Sequence, residues 1–250
     1  MKSLEANHYL LGIELKRSQV KSFDEYPFSL PFLKDLKKLE LHPKVTFLVG
    51  ENGSGKSTIL EAIAVAWGFN PEGGTKNFKF QTKESHSALH EYLRLHRGIR
   101  KAKDGYFFRA ESFFNVATEI ERLDDGPGGP PIISSYGGMS LHGQSHGESF
   151  LALLMNRFNG NGLYLLDEPE AALSPQRQLA AISRLHQLLK IKSQFIIATH
   201  SPILLAYPDS WIYQIDASGI KLTEYKDTEH YLTTKKFITN PENYLNQLLE

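Results

Sequence analysis

The sequence predicts an α/β fold with a mainly parallel central sheet, and three observations carry that expectation. Short, almost wholly apolar runs such as "VTFLVG", "LYLLDEP" and "FIIATH" read as strands buried on both faces. In the second half of the chain these runs alternate with segments of helical period, the order expected of parallel strands joined by crossover helices. A glycine-rich turn at 50–58 joins a strand to a helix.

Taken in order, "HYLLGIELK" and "KLELHPKVTFLVG" read as strands, with "FDEYPFSLPFL" as a packed connection between them. "STILEAIAVAW" reads as a helix from Ser57, stopped by Gly68. Residues 70–84 are mixed, and "SALHEYLRLHRGIRKAK" reads as a further helix. "GYFFRAESFF" reads as a strand running into a loop or short helix. Residues 126–138 hold eight Gly or Pro in thirteen positions, which predicts a mobile loop. Then come the helix "ESFLALLMNRF", the strand "GLYLLDEP", the helix "SPQRQLAAISRLHQLLK" and the strand "SQFIIATHS". "SWIYQIDASGIKLTEY" predicts a closing hairpin. "NPENYLNQLLE" predicts a short helix with Asn240 as cap and Pro241 in its first turn.

Composition narrows the class. The formal net charge of the 250 residues is zero, so no global basic field argues for nucleic acid. The absence of cysteine excludes disulfides, thiolate chemistry and zinc–thiolate sites. The N-terminus does not read as a signal peptide, and no run reaches the roughly 18 apolar residues needed to span a bilayer. A cytoplasmic protein without membrane insertion is expected. The basic run Arg94, Arg97, Arg100, Lys101 and Lys103 could meet nucleic acid or an effector protein, although a solvated face is the plainer reading.

The turn "GENGSGKST" fits G-x-x-x-x-G-K-[ST] at every fixed position and lies between strand and helix, the setting of a P-loop. Gly50, Glu51, Asn52, Gly53, Ser54, Gly55, Lys56, Ser57 and Thr58 are therefore the candidate phosphate-binding residues. Backbone N–H groups would face the phosphates, Lys56 the β- and γ-phosphates, and the Ser57 hydroxyl a Mg²⁺ ion. "LYLLDEPE" puts Asp167 at the carboxyl end of a strand, where doubly wound sheets bind their ligands. Asp167 fits a carboxylate that holds Mg²⁺ through water, and Glu168 a group that polarises the attacking water. "IIATHSP" delivers Thr199 and His200 to the next strand tip, where His200 would sense the γ-phosphate. Helix capping by the two carboxylates, or a structural histidine, are the plainer alternatives.

These residues resemble the ABC-class ATPases of the AAA family, in particular the soluble SMC-like and overcoming-lysogenisation-type branch, where "DEPE" and "THSP" recur. The resemblance spans Gly50 to Pro202. It implies an ABC-type ATPase head of P-loop NTPase fold, with a helical or irregular lobe near 70–145 and antiparallel strands at both ends, in one domain over 1–250. "SHGES" then looks like the family's signature, with Ser145 22 positions before Asp167. Ser145, Gly147 and Glu148 would hold the nucleotide of a second subunit. Two copies would so clasp two ATP molecules head to tail, each site using Lys56 of one chain and Ser145 of the other. A capping box of Ser145 with Glu148 is the plainer reading, and the two can coexist.

Two departures stand out: His146 replaces a glycine and Glu148 a glutamine. "EAALSP" resembles the loop that crosses the dimer interface. For the glutamine-loop position that senses Mg²⁺, Glu111 is the first candidate and Gln81 the competitor. Arg17, Phe23 and Tyr26 are candidates for stacking on adenine, with simple packing equally open. About 85 residues separate P-loop and signature with no sustained heptads, so a coiled-coil arm is not expected. The expected activity is Mg²⁺-dependent ATP hydrolysis coupled to homodimer formation. A nucleotide-gated protein-binding module and the energy subunit of a transporter are the alternatives.

Overall fold

The computed structural model describes residues 8–77, 87–124, 131–143 and 145–249. Among the described residues, nine strands form two sheets. β1 (Leu10–Leu15), β2 (Lys38–Glu40) and β4 (Leu93–Arg97) make an antiparallel sheet in the order β2-β1-β4. β3 (Val45–Val49), β5 (Asp104–Arg109), β6 (Gly162–Asp167), β7 (Gln194–Ala198), β8 (Trp211–Asp216) and β9 (Gly219–Thr223) make the central sheet, ordered β5-β6-β7-β3-β8-β9. Its first five strands are parallel, and β9 closes the edge as the antiparallel arm of the expected hairpin.

The helices are α1 (Pro31–Asp35), α2 (Lys56–Trp67), α3 (Phe113–Asp124), α4 (His146–Ala152), α5 (Pro175–Lys190), α6 (Pro202–Leu205), α7 (Glu229–Thr239) and α8 (Pro241–Leu249).

The period-2 geometry of the strands divides the core in two. Phe47, Tyr106, Phe108, Tyr164, Leu166, Phe195 and Ile197 point to one face, where α3, α4, α5 and α6 cover them. Leu48, Phe107, Leu163, Leu165, Ile196 and Ala198 point to the other, where α2 and the antiparallel sheet cover them. Every residue of β3, β6 and β7 is buried, as their unbroken apolar runs require. Gln194, fully buried on β7, ties the two sheets together: its amide accepts from Tyr9 and Leu10 N–H and donates to Leu10 and His42 carbonyls.

Several local expectations need correction. The helix expected over 87–103 is a 3₁₀ turn, Ala88–Tyr92, followed by strand β4. "LRLHR" alternates at period 2, and pairing with β1 rewards that pattern over helical spacing. Arg94 and His96 of this stretch meet Glu14, and Arg97 stacks 4.5 Å over Trp67, so part of the basic run is structural. The single strand expected from Lys38 to Gly50 is two strands in different sheets. The His42 side chain, which accepts from the N–H of Lys44 and Val45, turns the chain between them. The stretch after β5 forms the three-turn helix α3 rather than a loop or short helix.

Residues 131–138, expected to be mobile, hold a 3₁₀ turn, Ile132–Tyr136, whose tyrosine is buried. The Asp124 carboxylate caps it by accepting from Ile132 and Ile133 N–H. The rest of that loop, 126–130, and Gln81 lie outside the described residues. Asn240 does cap α8, its side chain accepting from Asn243 N–H at 3.1 Å. Among the described residues, no helix is long and apolar enough to cross a membrane.

Candidate functional site

The carboxyl ends of β6, β7 and β3 are neighbours in the sheet and deliver the motif residues to one edge. Backbone bonds stitch the tips together: Glu168 N–H donates to Ala198 O at 2.9 Å and Thr199 N–H to Leu48 O at 3.2 Å. The glycine-rich turn leaves β3 and enters α2 at Lys56. Gly50 has no room for a Cβ, which would run into the Ile215 carbonyl, and Gly55 turns the chain into the helix with φ of +96°. Lys56, 4% exposed, donates to the carbonyls of Gly50 at 2.8 Å and Glu51 at 2.9 Å, so the ammonium is held over the turn. Burial lowers its pKa from the usual lysine range, against the pull of Glu168 and Asp167.

Ser57 Oγ donates to Asp167 Oδ1 at 2.9 Å, across 110 positions of sequence. Burial pushes the Asp167 carboxyl up to about 6, with the Ser57 hydroxyl and Arg109 opposing. Arg109, in register with Asp167 on the adjacent strand, places Nε 3.8 Å from Asp167 Oδ2 and Nη1 2.6 Å from Glu61 Oε2. Sequence reading missed both Arg109 and Glu61. A glutamate inside the apolar helix "ILEAIAVAW" was the available signal, because a buried carboxylate needs a cation. Glu111 lies two residues on, its side chain 87% exposed, and touches Arg109 at 3.5 Å. The structure brings Arg109, rather than Glu111, to Asp167.

Glu168 sits in the left-handed region, φ 50° and ψ 52°, a conformation costly to a non-glycine residue. Its Oε1 lies 3.6 Å from His200 Nε2. His200 is fixed twice: its backbone N–H donates to Glu170 Oε1 at 2.6 Å, and its ring Nδ1 lies 3.0 Å from His230 Nε2 on α7. Sequence reading assigned α7 to no element and missed His230. Thr228 as cap with Glu229 in the first turn was a legible start signal.

Ser145 caps α4. Its Oγ accepts from Glu148 N–H, and Glu148 Oε2 accepts from Ser145 N–H at 3.0 Å, the reciprocal pair of a capping box. Arg177 of α5 reaches Glu148 Oε1 at 3.1 Å and so offsets the charge that a glutamate brings. These hydrogen bonds, Ser145 and Arg177 foremost, hold the Glu148 carboxyl below its usual pKa. Gly147 packs so closely on the loop after β6 that a Cβ would meet the Ala172 carbonyl. Of the adenine candidates, Arg17 lies over the Phe23 ring at 4.6 Å and donates to Leu33 and Leu36 carbonyls. Tyr26 stays exposed, its hydroxyl 3.3 Å from Thr58 Oγ1.

The residues present fit a nucleotide with a hard cation. Among the described residues, no group of three or more His, Cys, Asp or Glu side chains is arranged to hold a metal. Ser57 and Asp167 offer two oxygens only, which suits Mg²⁺, an ion that keeps waters and takes phosphate oxygens.

Fold and site together define a P-loop domain, with a glycine-rich turn between strand and helix at the carboxyl edge of a parallel sheet. The chain belongs to the AAA-domain family described as "AAA domain, putative AbiEii toxin, Type IV TA system", whose model matches residues 75–206, and a second AAA-domain model matches residues 19–128. No curated protein matches the sequence. Among solved structures, an ATP-binding cassette of an ABC transporter is 18% identical, covers 92% of this chain and 98% of its own, and superposes with a TM-score of 0.52, a likeness of fold. The SMC head domain from Thermotoga maritima is 18% identical over 75% of this chain and 93% of its own, with a TM-score of 0.40. CbiO1 from Clostridium perfringens, part of the cbiONQ transporter complex, is 17% identical over 97% and 99%, with a TM-score of 0.47.

Proposed function

We propose that the chain binds ATP with Mg²⁺ at residues 50–58 and hydrolyses it slowly, while two copies clasp two nucleotides head to tail. The Ser57–Asp167 hydrogen bond at 2.9 Å is the observation that carries this reading, because it sets a hydroxyl and a carboxylate side by side at the phosphate turn. On this reading, backbone N–H groups of the turn hold the phosphates, with Lys56 over the β- and γ-positions. Ser57 and Asp167 hold Mg²⁺, which when bound neutralises charge on the phosphate oxygens. Glu168 takes a proton from, or orients, the attacking water, and His200 donates to the terminal phosphate. Glu111 senses the cation through Arg109, which stands between it and Asp167. Ser145, with Gly147 and Glu148, presents the tip of α4 to the nucleotide of the second copy. The branch resemblance supports genome maintenance or defence against phage as the wider role, with an effector protein or nucleic acid as partner.

The Glu168→Gln variant with ATP, run on light-scattering chromatography, tests the clasp. The expected species is a dimer, with hydrolysis lowered by about 10²–10⁴-fold, the worth of a general base. A variant that holds nucleotide and stays monomeric would rule the clasp out.

A further inference from the structure

His230 enters no step above, yet it touches the one side chain read as the phosphate sensor. The imidazoles of His200 and His230 meet through Nδ1 of the first and Nε2 of the second at 3.0 Å, with ring centroids 5.2 Å apart. The outer nitrogens, His200 Nε2 and His230 Nδ1, are both buried and lack a hydrogen-bond partner among the described residues. Burial, with the Lys56 ammonium nearby, lowers the pKa of both rings against the pull of Glu168 on His200, which favours the neutral form of each. Glu229, exposed on the next position, is the opposing charge on α7.

Two neutral rings sharing one hydrogen bond have two arrangements. In the first, His200 Nδ1–H donates to His230 Nε2. That leaves His230 Nδ1–H buried with no acceptor, and it turns the bare lone pair of His200 Nε2 toward Glu168 Oε1, 3.6 Å away. An orphaned donor bears its full desolvation cost, and a lone pair facing a carboxylate is repelled. In the second, His230 Nε2–H donates to His200 Nδ1. The lone pair then falls on His230 Nδ1, and the proton of His200 falls on Nε2, facing the carboxylate. Both differences favour the second arrangement.

We propose that His230 is a positioning residue: its Nε2–H fixes His200 as the Nε2–H tautomer and aims that N–H at the space beside Glu168. The inference rests on the ATPase reading for what occupies that space. The fold supports a fixed donor. α7 begins at fully buried Thr228, whose Oγ1 donates to Tyr225 O at 2.8 Å, and Tyr225 in turn donates to Pro202 O at 3.0 Å, two residues past His200. The same face of α7 closes a cleft of about 520 Å³ with Glu51 and Asn52 of the glycine-rich turn. His230 thus lines the cleft beside the phosphate turn, half-buried, with its Nε2 on His200.

The test is a long-range ¹H–¹⁵N correlation spectrum of ¹⁵N-histidine protein, with His200 assigned through a His200→Gln variant, beside steady-state hydrolysis. In the wild type His200 carries its proton on Nε2; in His230→Leu the signal moves toward the Nδ1–H form. His230→Leu lowers kcat about tenfold, the worth of one hydrogen bond in a barrier, with nucleotide affinity unchanged. His230→Gln, whose amide can donate to the same nitrogen, keeps most of the rate. A wild-type His200 protonated on Nδ1, or equal loss in the Leu and Gln variants, overturns the assignment. The spectra need no turnover, so they judge His230 independently. A wild type that binds but never hydrolyses ATP would instead defeat the ATPase reading.

Discussion

The strand tips and the α4 tip carry the two halves of the proposed site, and they are built in opposite ways. At the strand tips the polar groups are buried or half-buried and cross-linked over long sequence distances: Ser57 to Asp167, Arg109 to Glu61 and Asp167, His200 to Glu170 and His230. At the α4 tip, Ser145 and Glu148 are exposed and satisfied mostly by each other and by Arg177. Exchanging buried partners costs a desolvation penalty, whereas exposed ones trade with water at little cost. The first half is a fixed cradle; on the proposed reading, the second releases its local bonds to meet an incoming anion. Gly147 couples them, since its contact with Ala172 seats the α4 tip on the loop that follows Asp167 and Glu168.

The largest effect should come from separating the halves. A Lys56→Ala chain spoils the cradle, and a Ser145→Arg chain blocks the tip; each alone should lose nearly all hydrolysis. Ser145→Arg should still bind one nucleotide per monomer with wild-type affinity. Mixing the two chains rebuilds one site per heterodimer, with Lys56 from one and Ser145 from the other, so hydrolysis should return. If the mixture stays as inactive as its components, the halves do not meet across an interface.

A smaller effect probes the cradle by itself. The Asp167 carboxyl has a folded-state pKa of about 6, against about 3.9 when unfolded. Between those values the folded chain binds the proton more tightly. The resulting stability is fully present below about pH 4 and is lost as pH rises through about 6. Denaturant unfolding without nucleotide or divalent cation should therefore show wild type losing about 2–3 kcal/mol relative to Asp167→Asn from pH 4 to 7. Glu170, whose pKa burial also raises, is common to both proteins and cancels. A difference that stays flat with pH would mean that Asp167 is solvated like an ordinary surface carboxylate.

The same contrast explains what the sequence made legible. The central sheet, α2, α5 and the closing hairpin follow from unbroken apolar runs and clear punctuation, and the site edge follows from where those strands end. Residues whose role depends on partners distant in sequence were not legible. Arg109 is meaningful only beside Asp167, and strand order puts it there. His230 is meaningful only once α7 folds back to β7. β4 was misread because five residues at period 2 are a weak signal until β1 supplies the pairing edge. The capping box was legible because it is local, with both partners within four residues.

The smallest predicted effect separates stability from activity at a single backbone position. Glu168 holds φ 50° and ψ 52°, where its Cβ is crowded by the backbone, and Glu168 N–H is tied to Ala198 O at 2.9 Å. The left-handed conformation costs a residue with a Cβ about 1–2 kcal/mol, part of which glycine returns to unfolded-state entropy. Glu168→Gly should thus raise unfolding stability by roughly 0.5–1 kcal/mol while abolishing hydrolysis. Glu168→Gln, which keeps the Cβ, should abolish hydrolysis with no such gain. Strain of this kind persists where a side chain is needed at a fixed spot, here within reach of His200. Should the glycine variant be less stable than the glutamine variant, the strain at Glu168 is not stored energy, and its carboxylate would have to stabilise the fold through its contact with His200.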